Sequence, residues 1–221
     1  MDDTVDIKAT SGVLDDSNPG GTDNTYIGSN GSLGGGSVAG INDSVYTEGP
    51  GSTFLNVDDS GSPIPRTVTM DDGSLIGLAP APIYWSPTST ASGGVERLEV
   101  AGGSGGDTFN IVNTSNFYNY TLLTTGTGND TVNIQAATGA LYDGNSGGQD
   151  TTTIGSNAPA GGGTLAGING FVNVSGDGST ALTVDDSGDT NTTTATIGYD
   201  EVSGLYQGTI TFETGISSLL L

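Results

Sequence analysis

The 221-residue chain has no cysteine and no histidine, and its only basic residues are Lys8, Arg66 and Arg97. Without cysteine there are no disulfides, no thiol chemistry and no Cys/His zinc sites. Without histidine there is no imidazole base, which excludes Ser-His-Asp acyl transfer. Against the three basic residues stand 25 acidic ones, a formal net charge of −22. A surface this acidic repels phosphate backbones and anionic lipid, so neither nucleic acid nor membrane insertion is expected. No window carries a helical apolar period of useful length, and no apolar run approaches a membrane span. Met1 is followed at once by Asp2 and Asp3 with no apolar h-region, so no signal peptide is read at the start. That start falls inside a repeat, and the chain reads as cut from something longer.

Glycine, by contrast, is abundant, at 39 residues, and 33% of residues are apolar. Low apolar content with high charge is the composition of disordered segments. Here, however, the apolar residues are grouped, as in Thr131-Val132-Asn133-Ile134, Ala181-Leu182-Thr183-Val184 and Thr209-Ile210-Thr211-Phe212. Each group is bounded by Gly, Asp, Asn or Ser, the signature of strands and turns. The expectation is an all-β chain.

The dominant signal is an internal repeat. Asp3-Thr4-Val5-Asp6-Ile7 returns as Asp130-Thr131-Val132-Asn133-Ile134, and Ala39-Gly40-Ile41-Asn42 as Ala166-Gly167-Ile168-Asn169. Val57-Asp58-Asp59-Ser60-Gly61 returns as Val184-Asp185-Asp186-Ser187-Gly188. All three share one offset, 127, with roughly half the positions identical over the first 78 residues. About six residues, near Ser86 to Ala91, are then missing from the second copy before Gly94-Val95 meets Gly215-Ile216. Residues 1–127 are one repeat and 128–221 a partial second.

A shorter period lies inside the long one. Gly106-Asp107-Thr108-Phe109-Asn110-Ile111 echoes as Asn129-Asp130-Thr131-Val132-Asn133-Ile134, 23 residues on, and Asp150-Thr151-Thr152-Thr153-Ile154 follows 20 later. Periods in the twenties mean stacked units, each covering its neighbour's apolar surface. This predicts a single right-handed parallel β-helix, a β-solenoid of about ten rungs, with about six per repeat. At about 4.8 Å per rung the rod would be on the order of 50 Å long. Tandem immunoglobulin-like sandwiches account for a 127-residue unit as well, but not for the short echoes.

Asp107, Asp130 and Asp150 then fall at equivalent turns of successive rungs, with Asp3 and Asp23 in the same places of the first copy. Carboxylates stacked about 5 Å apart repel one another unless something neutralises them. Bound Ca²⁺ is one answer, and these five aspartates are its candidate ligands. The other is that each carboxylate caps its turn by accepting backbone N–H bonds. Gly102 to Asn110 fits the calcium nonapeptide G-G-x-G-x-D-x-U-x at every fixed position, and Gly126 to Val132 nearly so. The paired Asp58-Asp59 and Asp185-Asp186 resemble the acid and base of glycoside hydrolysis. A pair duplicated in both copies reads instead as a turn, and no catalytic residue is expected. The T-x-T groups at Thr151/Thr153 and Thr192/Thr194/Thr196 suit a solvent-facing strand, or, if continued in every rung, an ice-binding face. Phe117 to Tyr120 and the unrepeated loop near Ser86 are candidates for a sugar-binding surface.

The strings GGSGGDTFNI, GTGNDTVNI and LTVDDSGDT resemble the long repeats of giant secreted bacterial surface proteins, grouped with RTX-like, hemolysin-type calcium-binding proteins. The resemblance covers nearly the whole chain. It implies an extracellular, non-enzymatic stalk or adhesin module with calcium at Asp107 and Asp130. The nonapeptides are not back to back, which departs from the RTX pattern. Surface polysaccharide, or another copy end to end, are the partners expected. A polysaccharide-processing β-helix and an ice-binding solenoid are the other functional readings.

Overall fold

The computed structural model describes residues 2–86, 94–117 and 119–221. The unrepeated loop beyond Ser86 and Tyr118 of the aromatic group lie outside the described residues. Twenty short strands follow in order: β1 (Thr4–Ile7), β2 (Leu14–Ser17), β3 (Thr22–Ile27), β4 (Val45–Glu48), β5 (Ser52–Asp58), β6 (Thr67–Asp71), β7 (Ser74–Ile76), β8 (Ile83–Trp85), β9 (Gly94–Ala101) and β10 (Thr108–Ile111). The second ten are β11 (Tyr120–Thr124), β12 (Thr131–Ile134), β13 (Leu141–Gly144), β14 (Thr151–Ile154), β15 (Phe171–Ser175), β16 (Thr180–Val184), β17 (Thr196–Ile197), β18 (Glu201–Ser203), β19 (Thr209–Phe212) and β20 (Ile216–Leu220). Among the described residues the only helical element is a 3₁₀ turn at Gly31–Leu33.

The strands form two ten-stranded sheets that do not close into a barrel. One has the order β1-β3-β5-β9-β11-β13-β15-β19-β18-β17, the other β2-β4-β8-β7-β6-β10-β12-β14-β16-β20. Apart from two excursions, the chain crosses from one sheet to the other at each step and pairs in parallel with the strand two crossings earlier. The excursions are antiparallel meanders, β6 to β8 in the second sheet and β17 to β19 in the first. Parallel pairs joined by crossovers are not the antiparallel hairpins of immunoglobulin-like sandwiches, so that alternative does not describe this chain. The arrangement is compatible with a β-solenoid.

The short echoes set the register. Thr108 pairs with Thr131 and Thr131 with Thr151, so the 23- and 20-residue spacings are turns of the chain. The spacing is not constant, however. Thr22 pairs with Ser52, Thr151 with Ala181 and Ser52 with Gly94, because loops and a meander enlarge those turns. Six even rungs per repeat are therefore not what is observed.

β-branched and aromatic residues alternate with polar ones, which suits strands with one covered face. Ile7, Ile27, Val57, Val100 and Leu123 form one inward column of the first sheet. Val68, Phe109 and Val132 form another, in the second. All of these are buried between the sheets.

The repeat has a consequence for the sheets. β1 corresponds to β12 by the 127-residue offset, β3 to β14, and the meander β6–β8 to β17–β19. The first member of each of the first two pairs is in one sheet and its copy in the other, and the meander likewise changes sheet. With the meander counted as one position, the chain makes nine crossings, an odd number, from β1 to its counterpart β12. Successive copies therefore face opposite ways.

Candidate functional site

The aspartates of the predicted column are brought together. The Asp130 amide donates to Asp150 Oδ1 at 2.9 Å, and the Asp107 amide to Asp130 Oδ1 at 2.6 Å. Asp107 Oδ1 accepts the Arg66 amide at 2.7 Å, and its Oδ2 the Gly103 amide at 3.1 Å. In the first copy the Asp3 amide donates to Asp23 Oδ1 at 2.9 Å. That pair belongs to turns entering the first sheet, and the longer column to turns entering the second. The carboxylates of Asp23, Asp130 and Asp150 thus each accept the amide of the equivalent residue one turn earlier, 20 or 23 residues back, rather than a local Asx amide two residues on.

Capping leaves a remainder. Asp107, Asp130 and Asp150 are each 1% exposed, and Oδ2 of Asp130 and of Asp150 is buried without a hydrogen-bond partner. Burial pushes the Asp130 carboxyl up to about 6 and raises those of Asp107 and Asp150, with backbone N–H donors opposing. An all-oxygen donor set of this kind suits a hard cation or a proton. Among the described residues, no three or more acidic side chains are gathered as a metal site.

Glycine supports the column. A Cβ on Gly103 would lie 1.9 Å from the Ser62 carbonyl oxygen, and one on Gly126 1.7 Å from that of Gly103. Gly126 also holds φ +105°. The glycines of the nonapeptide-like stretches therefore let one turn pack directly on the next.

A further carboxylate was not anticipated. Asp143 points inward from β13 between Leu123 and Val174, in a column otherwise apolar. Its Oδ2 accepts the Thr152 hydroxyl across the core at 2.7 Å and the Asn145 amide at 3.1 Å, while Oδ1 has no partner. Burial pushes its carboxyl up to about 6, and the nearby charges of Asp150 and Asp130 add to the shift. The first copy repeats the bond, Thr25 donating to Asp16 at 2.6 Å. The sequence signal was present, since Asp16, Asn18 and Thr25 recur at offset 127 as Asp143, Asn145 and Thr152.

The paired aspartates pin a loop. Asp58 accepts the Gly36 amide at 2.7 Å and Asp59 the Val38 amide at 2.9 Å. Asp185 and Asp186 do the same with Gly163 and Leu165, at 2.7 and 2.9 Å. Both copies use both carboxylates for the glycine-rich loop. The threonine face is interrupted: Thr67, Thr108, Thr131 and Thr151 align outward on the second sheet, but Asn133 and Thr153 in the next column are buried.

The outer face of the first sheet carries a shallow trough. Tyr26, Asn56, Glu99, Leu122, Tyr142 and Asn173 are successive partners across β3 to β15. Beside them the Arg97 guanidinium lies 4.7 Å over the Phe54 ring and 6.0 Å from Tyr120, with its Nε 3.3 Å from Glu99. Tyr120 meets Tyr142 edge-on at 5.8 Å, and Tyr142 lies 5.6 Å from Phe171.

No family model, curated protein or solved structure matches the chain.

Proposed function

We propose that the chain is a segment of a right-handed parallel β-helix, serving as a non-enzymatic structural or adhesive repeat module of a large extracellular bacterial surface protein. The observation that carries this reading is continuity across the copy boundary. β10 and β11 pair with β12 and β13 in parallel, in the same way as strands within a copy. A unit that continues itself in this way adds length with each repeat. The right hand follows the general rule for parallel crossovers. The non-enzymatic part is supported by the paired aspartates, one oxygen of each accepting a backbone amide of the glycine-rich loop, while Asp59 Oδ2 faces Arg66 Nε at 3.6 Å.

Calcium belongs to the same proposal, as the occupant that neutralises the Asp107–Asp130–Asp150 column. The test is a far-UV circular dichroism melt in EDTA and then in millimolar calcium, with small-angle scattering on the same samples. The module reading expects a β spectrum and an elongated particle of roughly 45–50 Å. A compact sphere or a coil spectrum in both conditions sinks it. A melting temperature that calcium leaves unchanged removes the metal from the proposal and leaves the aspartates as turn caps.

A further inference from the structure

We infer that the trough on the outer face of the first sheet is a binding site for a neutral oligosaccharide. This goes beyond a structural role, and its first support is where the repeat fails. Residues that build the turns recur in both copies: Asp58 as Asp185, Gly36 as Gly163, Ile27 as Ile154. Residues that line the trough do not. Tyr26 is replaced by Thr153, Phe54 by Ala181 and Asn56 by Thr183. Ser218 stands in the place of Arg97, since Phe54 pairs with Arg97 as Ala181 pairs with Ser218. The scaffold is duplicated and this surface is particular to one stretch of it.

The chemistry selects the ligand class. The exposed ring of Tyr142, with the half-buried ring of Tyr120 edge-on beside it, offers an apolar face to the C–H side of a pyranose. Between and beside them stand the Asn56 side chain, the Asn173 side chain, whose nitrogen donates to the Thr211 hydroxyl at 2.9 Å, and the Glu99 carboxylate, which accepts the Tyr120 hydroxyl at 3.3 Å, a polar set suited to sugar hydroxyls. The Asn56 amide nitrogen is buried beneath the trough floor and has no partner within the chain. Charge decides between neutral and acidic sugars. Arg97 is the cation of this face, and it is already held by Glu99 at 3.3 Å and by the rings around it. Glu213 at the far end adds negative charge. An acidic sugar would meet the Glu99 and Glu213 carboxylates against one cation, Arg97, whose charge Glu99 already offsets. Strands set about 4.8 Å apart place polar and aromatic groups at a repeat close to the rise of a pyranose chain, over about 20 Å.

The test is titration of the ¹⁵N-labelled chain with cellohexaose, chitohexaose, mannohexaose and maltohexaose, with hexagalacturonate as the acidic control. At least one neutral hexasaccharide is expected to shift the amides of Tyr120, Tyr142 and Asn173. Tyr142→Ala should weaken that binding about threefold to tenfold, the loss expected for one stacked ring. Tyr84→Ala, in the Tyr46–Tyr84 stack of the other sheet, should leave it unchanged. Asn173→Ala serves as the second trough variant should Tyr142→Ala lose its β spectrum. The inference is overturned if no neutral hexasaccharide binds below about 10 mM. It is equally overturned if both trough variants bind like the parent, or if hexagalacturonate binds more tightly.

Discussion

Asp143 puts a carboxylate where its neighbours in the column are Leu123 and Val174, and one of its oxygens goes unpaired. A buried charge without a cation is costly, so the folded chain favours the protonated form. The groups acting on it are Asp150 and Asp130, both acidic, with Thr152 and Asn145 as donors. With the carboxyl at about 6 in the fold against 3.8 unfolded, the native state holds a proton that the unfolded state releases between those values. Stability from this group is therefore full below about pH 4 and declines as pH rises to about 6, the reverse of ordinary acid denaturation. The difference across that window is about 2–3 kcal/mol for Asp143, and Asp130 acts in the same direction. The melting temperature should rise when pH is lowered from 7 to 5. Asp143→Asn should melt higher than the parent at pH 7 and show a flatter pH profile. A parent that melts lower at pH 5 than at pH 7 would show that these acids are charged in the fold. Keeping such a group at that cost has a rationale in register. The Thr152–Asp143 bond crosses the core between the sheets, so a slipped turn would leave the acid without its Thr152 donor.

At the scale of turns and loops, glycine and aspartate divide the work. Gly126 holds φ +105° with the Gly103 carbonyl where a methyl group would go. Gly126→Ala should destabilise the chain by about 2–4 kcal/mol, from backbone strain and overpacking together, measured by urea unfolding. A loss below about 0.5 kcal/mol would mean the turns can move apart. Asp185 acts differently, holding a loop on the outside through the Gly163 amide and Ser187. Asp185→Ala should cost about 1 kcal/mol and speed hydrogen exchange at Gly163 selectively, leaving Ile134 and Ile154 protected. Uniform loss of protection would make the aspartate part of the global fold. Much of this level was legible in the sequence. The echo of Asp107 at Asp130 and Asp150 gave the parallel register directly, because a stacked turn must repeat its own turn chemistry. The long turns were not legible, since a loop such as 155–164 lies outside the strands and leaves no period. Nor was the trough, whose Tyr26 and Tyr142 are distant in sequence and share a face only because β3 and β13 lie in one sheet, with β5, β9 and β11 between them. Asp143 recurs from Asp16 at the same offset as the rest, but in sequence an inward Asp looks like any turn residue.

Across the whole molecule, the odd number of crossings per repeat governs what each face presents. The loop after β3 covers the first sheet, where a Cβ on Gly31 would strike Asp6. Its copy after β14 lies on the second sheet, beside Thr153 and Thr183. The meanders alternate in the same way, adding strands to one sheet in the first copy and to the other in the second. An insertion always on one side would make that sheet longer and curve the stack toward the other. Alternation cancels the bend, and both sheets end with ten strands. A longer array of such repeats would therefore stay straight and present each loop on opposite faces in turn. The absence of cysteine makes this measurable with two introduced labels. Leu33→Cys and Ala160→Cys are equivalent positions on exposed loops, one copy apart. Labels on the same face would be separated only by the axial advance of one repeat, about 27 Å at the strand spacing. Labels on opposite faces add the thickness of two sheets and two loops, giving about 40 Å by double electron–electron resonance. A single peak near the shorter distance would mean that the copies superpose by translation alone and that insertions on one side bend a longer array.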